Sequence, residues 1–178
     1  MSATEPRAGA ASVPARPTHL QALGLLAGAM VMVASFILLC VKLGNAEFYA
    51  GFLFLLCWSA LEEGKLEKLP RAVFGSAFGL ALGYSLHFFT TGSLGATGGY
   101  IFGAFVLPVI YCQLMGWFPL LVNFTAMTFL TVITIPHIQQ HGDFGKTAIA
   151  LLLGIVYFGA ILGVASRLSG TKQQDQTG

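Results

Sequence analysis

The segment from residue 71 to residue 89 carries glycine at every fourth position, at Gly75, Gly79 and Gly83, and is otherwise mostly apolar. Residues four apart on an α-helix lie nearly above one another, so these glycines would form a groove without side chains. In a lipid bilayer, such a groove lets a second helix approach backbone to backbone. The segment therefore predicts a membrane-spanning helix that packs closely against a neighbour.

The chain as a whole is too apolar to cover a water-facing surface. Of its 178 residues, 56% are hydrophobic and only 9% are charged, whereas about 25% are charged in ordinary soluble domains. The lipid bilayer is therefore the expected partner, and a net charge of +2 gives no reason to expect a nucleic acid. We predict one membrane domain at residues 20–168, between disordered tails at residues 1–19 and 169–178.

Apolar runs divide this domain into six predicted transmembrane helices, which makes the fold all-α and polytopic. Pro119 takes the first position of the fifth helix, where proline is favoured. Pro136 ends that helix, and residues 137–143 are predicted to form a polar loop. The second helix is short for a span, which needs about 20 residues. The predicted helices cover residues 20–41, 48–61, 71–89, 99–114, 119–135 and 144–168.

The distribution of lysine and arginine predicts which side of the membrane holds the termini. Six crossings place both termini on one side, and that side holds seven of these cations against two on the other. Because cytoplasmic segments retain lysine and arginine, both termini are predicted to be cytoplasmic. The seven are Arg7, Arg16, Lys65, Lys68, Arg71, Arg167 and Lys172, and the two are Lys42 and Lys146.

The glycine pattern indicates that the chain consists of two related halves, divided near Ser93. The second and fifth predicted helices are short apolar runs at matching places in the two halves, and each precedes a polar loop and a glycine-bearing helix. Three crossings per half would give a 3+3 inverted repeat, as in many transporters and some channels. Because glycine is abundant, with 22 residues, chance could also produce the pairs. The further packing glycines are Gly24 and Gly28 on the first helix, Gly99 and Gly103 on the fourth, and Gly159 and Gly163 on the sixth.

Polar residues on the fifth predicted helix are candidates for a substrate path. Asn123, Thr128 and Thr131 share one side of this helix, where they could line a narrow polar route. The alternative is that each hydroxyl bonds the carbonyl one turn back or joins neighbouring helices.

The end of the second predicted helix supplies the other candidates, Trp58, Ser59 and Glu62. In one interpretation, Glu62 turns inward and guards an entrance to the path. In the other, its carboxylate is solvated at the cytoplasmic mouth and Trp58 lies at the level of the headgroups, where tryptophan is common.

The sequence gives no sign of an enzyme. No Asp, Glu, Lys or Arg lies in the middle of a predicted span, whereas proton and sodium pumps usually keep such a group there. No phosphate loop, nucleophile elbow or zinc-protease motif is present. His137 and His141 are four residues apart, but Pro136 and Gly142 favour a loop there, and no third metal ligand is placed. We therefore expect neither catalysis, nor a cofactor, nor a bound metal.

Two stretches carry a resemblance to a known family. Phe48–Leu56 is a short aromatic-glycine helix, and Gly142–Lys146 forms a Gly-Asp-aromatic turn before the glycine-bearing segment Leu153–Gly159. Over about residues 20–168, the chain resembles a family of small bacterial inner-membrane proteins, domain-of-unknown-function family one thousand and ninety-seven. The resemblance implies a location in the bacterial cytoplasmic membrane. It brings no established substrate and no functional residues.

These patterns favour a channel-like or transporter-like protein that passes or binds a small neutral or weakly charged solute. The alternative is a membrane subunit or scaffold that docks a partner, or a second copy of itself, through its glycine grooves. Solute flux into liposomes would favour the first hypothesis, and recovery of one stoichiometric partner would favour the second.

Overall fold

The computed structural model describes residues 18–91 and 95–174, and within them it contains helices and no β-strand. The all-α prediction is therefore confirmed for the described residues. Most of the predicted N-terminal tail, with Arg7 and Arg16, lies outside them. The helices are α1 (His19–Lys42), α2 (Tyr49–Leu61), α3 (Leu69–Thr91), α4 (Gly95–Leu114), α5 (Phe124–Ile133), α6 (Pro136–His141) and α7 (Phe144–Gln174), with a 3₁₀ turn at Leu66–Lys68.

Four helices of the described residues, α1, α3, α4 and α7, are long and apolar enough to cross a membrane. The helices α2 and α5 are also apolar but have only 13 and 10 residues. At a rise of 1.5 Å per residue they measure about 20 and about 15 Å, against about 30 Å for the hydrocarbon core. Neither is long enough to cross the core as a helix by itself.

The chain forms two units, Met1–Ser35 and Phe36–Gly178, and α1 belongs partly to each. In the first unit, the described residues are helical from His19 onward. There the Ser35 hydroxyl donates to the carbonyls of Val31, at 2.7 Å, and Met32, at 3.0 Å. The second unit contains all the packed core described below.

Within the second unit, α1 and α4 end in the same way. The N–H of Gly44 donates to the Val41 carbonyl at 2.9 Å, and the N–H of Asn45 donates to the Cys40 carbonyl at 2.9 Å. This is the Schellman arrangement, which needs a residue with positive φ after the helix, and Gly44 has a φ of 68°. At the end of α4, Gly116 has a φ of 67° and takes the same place. The two corresponding hydrogen bonds there join Gly116 to Gln113, at 3.1 Å, and Trp117 to Cys112, at 2.8 Å.

The core of the second unit is built from two parallel helix pairs. One pair consists of α3 and α5. Where both helices begin, the Asn123 amide donates to the Arg71 carbonyl at 3.0 Å, and the contacts that follow join later residues of α3 to later residues of α5. In the other pair, the Asn45 amide donates to the Lys146 carbonyl at 2.8 Å, and the contacts then run forward along α2 and α7. The helix α3 also packs against α2, α4 and α7, so it lies at the centre of this unit.

The helix α4 is held to the core by one apolar face. Phe102, Val106 and Val109 on this face pack with Leu82 of α3 and Leu130 of α5. Much of the rest of α4 is exposed and apolar. Such a surface is unsuited to water and suited to lipid acyl chains.

Four predicted boundaries were wrong. The helix α4 begins at Gly95 rather than at residue 99. The helix α5 begins at Phe124 rather than Pro119, because Asn123 is its N-cap: the Asn123 side chain accepts from the Ala126 N–H. The segment predicted as a polar loop after Pro136 is helical as far as His141, with proline at the start of α6. The helix α7 continues to Gln174, past the predicted helix end at residue 168.

Candidate functional site

The groove predicted on α3 faces α5. A Cβ placed on Gly79 would lie 2.6 Å from the Cβ of Phe129 and would also meet the Ala126 carbonyl. Real Cβ atoms do not approach other atoms so closely, so only glycine permits this spacing of the helices. The other two glycines of the groove make similar contacts. A Cβ on Gly75 would meet the Asn123 side chain, and a Cβ on Gly83 would meet the Ile133 side chain.

A second glycine contact joins α2 to α7. A Cβ on Gly154 would lie 2.6 Å from the Cα of Gly51. A Cβ on Gly51 would in turn meet the ring of Phe36, which is fully buried. The Phe36 ring also packs against the Phe158 ring, with centroids 4.9 Å apart. Sequence reasoning missed the Gly51–Gly154 contact because neither glycine has another glycine three or four residues away in its helix.

The remaining predicted packing glycines do not make such close approaches. On α4 and α7, the structure has no atom within 4 Å of an added Cβ at Gly99, Gly103, Gly159 or Gly163, among the described residues. In the first unit, the same holds for Gly24 and Gly28. Close helix packing through these six positions is therefore absent from the described part of the single chain.

Three of the predicted path residues lie where α2 ends and α3 and α5 begin. Asn123 is buried, and its amide donates to the carbonyls of Arg71, Pro119 and Leu120 at 3.0–3.3 Å. With its oxygen accepting from the backbone, the Asn123 side chain has its hydrogen-bonding groups engaged inside the protein. Asn123 thus clamps the start of α5 to α3.

Glu62 and Trp58 are the other two residues of this group. The Glu62 carboxylate is buried, with 5% of the residue exposed, and lies 3.4 Å from the Arg71 guanidinium. A buried carboxylate needs such a partner because desolvation of an unpaired charge is costly. Trp58 is fully buried, and its indole N–H donates to the Lys65 carbonyl at 3.1 Å. Both side chains close the turn between α2 and α3.

The hydroxyls predicted to line the path bond their own helices. Thr128 donates to Phe124 O at 2.8 Å, Thr131 donates to Met127 O at 2.8 Å, and Ser59 donates to the carbonyl three residues earlier at 3.2 Å. This back-bonding is the alternative interpretation of the sequence. Thr131 and Ser59 are exposed, while Thr128 is half-buried, so the three do not share one internal surface.

A cavity with a largely polar set of lining side chains lies at the other end of the α3–α5 pair. It has a volume of about 530 Å³ and is formed by the last turns of α3, the end of α5 and α6. Its polar lining consists of side chains without fixed charge: His87, Thr90, Thr91, Thr134, Gln139 and Gln140. We refer to this cavity as the amide pocket. Pockets of this size commonly hold small ligands.

Two residues of the amide pocket tie α6 to α3. His87 Nδ1 lies 2.9 Å from the backbone carbonyl of Gln139. The Gln139 amide nitrogen donates to the carbonyls of Gly83, at 3.1 Å, and Ile133, at 2.8 Å. The Gln139 Oε1 atom is buried and has no hydrogen-bond partner among the described residues. Neither His87 nor Gln139 is among the path residues predicted from the sequence.

Two other features have the shape or chemistry of a site. An apolar groove of about 520 Å³ follows α2 from Phe48 to Ser59, with Val132 on its far side. Near α6, the rings of His137 and His141 stack with centroids 5.0 Å apart. In residues 18–91 and 95–174, no three His, Cys, Asp or Glu side chains form a group suited to a metal ion.

Comparison of the chain with protein families, with curated proteins and with solved structures found no match. The functional proposal below therefore depends on the geometry of this chain.

Proposed function

We propose that the chain is a membrane protein of two inverted repeats that passes or binds a small neutral or weakly charged solute. The main support is that the two close helix contacts correspond. Gly51 meets Gly154, and Ala126 meets Gly79. The offset along the chain from Gly51 to Ala126 equals the offset from Gly79 to Gly154, and we call it the repeat offset. A contact between α2 and α7 thus corresponds to one between α5 and α3.

The buried faces of the helices support the same register. A shift of one residue turns a helix face by about 100°, so faces coincide only at particular offsets. Each buried residue of α2 and α3 has a counterpart one repeat offset later in the chain, and these counterparts are also buried except for those of Cys57 and Leu82, which are half-buried. The buried pairs are Ala50 and Thr125, Gly51 and Ala126, Phe54 and Phe129, Trp58 and Ile133, Ala72 and Thr147, Gly75 and Ala150, Ser76 and Leu151, Gly79 and Gly154, and Gly83 and Phe158.

The asparagines before the short helices supply a third correspondence. Asn45 donates to the carbonyl of Lys146, and Asn123 donates to the carbonyl of Arg71. Arg71 and Lys146 are separated by the repeat offset, whereas Asn45 and Asn123 are slightly further apart. The difference arises because Asn123 caps α5 directly, while a short segment separates Asn45 from the start of α2. In both halves, an asparagine before a short helix thus fixes the start of a long helix of the other half.

This arrangement favours transport over a purely structural role. Each half contributes one long, one short and one long helix, and an odd number of segments inserts the halves in opposite directions. Short segments at matching places are the usual position of a solute site in such proteins. The amide pocket lies at the end of α5, one of the short segments, and its lining carries no fixed charge.

The orientation and location are part of the proposal. The start of α3, which carries Arg71, follows directly after the charged turn that contains Lys65 and Lys68. Retention of cations in the cytoplasm would place this end inside and the amide pocket on the outer side. The resemblance in the sequence implies the cytoplasmic membrane of a bacterium, and the distribution of lysine and arginine would place both termini in the cytoplasm.

Flux into proteoliposomes tests the proposed activity. The purified full chain would be reconstituted, and the entry of small amides, alcohols and methylammonium would be followed by light scattering. We expect faster entry of at least one uncharged solute than into liposomes without protein. Flux equal to that of empty liposomes for every solute would reject the proposal.

One observation favours the second candidate, a membrane scaffold. The faces of α4 and α7 around Gly103 and Gly159 leave space for an added side chain in the described structure. A helix of a partner or of a second copy could pack there. Recovery of one stoichiometric membrane partner in mild detergent, lost in the Gly159→Leu variant, would support this candidate. A protein that is monomeric and partner-free in the membrane would exclude it.

A further inference from the structure

Two of the three threonine hydroxyls of the amide pocket, those of Thr90 and Thr134, have already used their hydrogens. Thr90 Oγ1 donates to the Leu86 carbonyl at 2.9 Å, and Thr134 Oγ1 donates to the Thr131 carbonyl at 2.7 Å. A hydroxyl has one donor and two lone pairs. Each of these two oxygens can therefore offer lone pairs only to a molecule in the pocket.

The hydrogen bonds of His87 also determine which of its ring nitrogens can accept a hydrogen bond from a bound molecule. Its Nδ1 atom lies 2.9 Å from the Gln139 carbonyl, which can only accept a hydrogen bond. Nδ1 must therefore carry the proton. In the neutral ring, His87 Nε2 is then an acceptor.

Gln139 is held by hydrogen bonds to the protein. Its amide nitrogen faces two carbonyls, those of Gly83 and Ile133, which fixes the orientation of the amide group. Gln139 Oε1 is left without a partner among the described residues, but this atom is buried and does not lie on the pocket surface. The described lining contains no carboxylate that could balance a positive charge.

We propose that the amide pocket binds a small uncharged solute that is rich in N–H donors, of the amide or urea class. The oxygens of Thr90 and Thr134 and the Nε2 atom of His87 are acceptors that such a solute satisfies, while a solute with acceptors alone would leave these three atoms unpaired. A cation is disfavoured because a half-buried site without a counter-charge does not repay the lost hydration. The inference rests on the proposed transport, for which it gives the substrate class, but binding itself does not require transport.

Ligand-observed NMR on the full chain in detergent tests the proposal with matched probes. Acetamide and acetone have nearly the same shape and the same carbonyl, but only acetamide has N–H donors. We expect saturation transfer to acetamide and much less to acetone or methylammonium. Equal transfer to acetamide and acetone, or the strongest transfer to methylammonium, would overturn the proposal.

Two variants locate the site. Thr134→Val removes a pocket oxygen with little change of shape, and acetamide binding should weaken about fivefold, as for the loss of one hydrogen bond. Thr131→Val is the matched control, because Thr131 lies on the same helix outside the pocket lining, and acetamide binding to this variant should be unchanged. If Thr134→Val does not fold, Thr90→Val serves the same purpose. Equal effects of the pocket and control variants would reject the site.

The outcome is separable from that of the flux experiment. Acetamide binding that depends on Thr134, without flux, would retain the binding site and reject transport. Flux of a solute that is insensitive to Thr134→Val would retain transport and reject the binding site.

Discussion

A single added methyl group at Gly79 should destabilise the protein, while the same change at Gly159 should not. A Cβ on Gly79 would lie 2.6 Å from Phe129 Cβ, whereas a Cβ on Gly159 has no atom within 4 Å in the described structure. Carbon atoms pack best at about 3.5–4.0 Å. The helices α3 and α5 would therefore have to separate by about 1 Å in Gly79→Ala.

The magnitude follows from two opposing terms. Forcing an additional carbon into a packed interface costs about 1–3 kcal/mol. Replacement of glycine by alanine within a helix returns about 0.5–1 kcal/mol, and this term is common to both variants. The difference between Gly79→Ala and Gly159→Ala in the free energy of unfolding should therefore be about 1–3 kcal/mol.

Unfolding by sodium dodecyl sulfate in mixed micelles, followed by tryptophan fluorescence, would measure this difference. Gly103→Ala on α4 is a second control, because its Cβ would also have no atom within 4 Å in the described structure. The Gly79 variant should unfold at lower detergent fraction than both controls. If the three variants have equal stability, the close packing of α3 on α5 is wrong.

Three further variants test separate contacts. Gly154→Ala should destabilise the contact between α2 and α7, as Gly79→Ala should destabilise the contact between α3 and α5. Unchanged unfolding of Gly154→Ala would contradict the Gly51–Gly154 contact. Asn123→Ala removes the N-cap and the hydrogen bond to the Arg71 carbonyl, so unfolding should become easier by about 1–3 kcal/mol. Stability within about 0.5 kcal/mol of the native chain, the effect of a neutral surface change, would contradict the clamp. The hydrogen bond and the charge of Lys65 lower the pKa of the exposed Glu63 carboxyl, so Lys65→Met should raise that pKa toward its ordinary value. Because the pKa of Glu63 is lowered in the folded protein, the Glu63–Lys65 pair stabilises the fold at a pH above the ordinary carboxyl pKa, and this stabilisation is lost as the pH falls through the lowered pKa. If an NMR titration finds the same Glu63 pKa in Lys65→Met as in the native chain, the pairing is contradicted.

The course of α3 could be predicted from the sequence, but its partner could not. Glycines four residues apart define a face of one helix and say nothing about which segment covers it. The contact with α5 joins residues that are far apart in the chain and depends on the parallel course of the two helices. The same long separation hid the link between His87 and Gln139.

Two boundaries were missed because one residue type carries two signals. Pro119 in an apolar run was interpreted as the first residue of a helix, but Asn123 four residues later is the stronger start signal because its side chain caps the backbone. Pro136 was interpreted as a stop. It also begins α6, because a fixed φ and a missing N–H suit the first helical turn equally well.

Membrane topology at two corresponding positions tests the inverted repeat most directly. Lys65 and Gln140 are separated by the repeat offset, follow the short helices α2 and α5, and are both exposed. Each would be replaced by cysteine in a chain whose native cysteines are serine or alanine, and labelled with a membrane-impermeant maleimide in spheroplasts. We expect Gln140→Cys to react in intact spheroplasts and Lys65→Cys to react only after permeabilisation. Reaction of both positions from the same side would contradict the inverted arrangement.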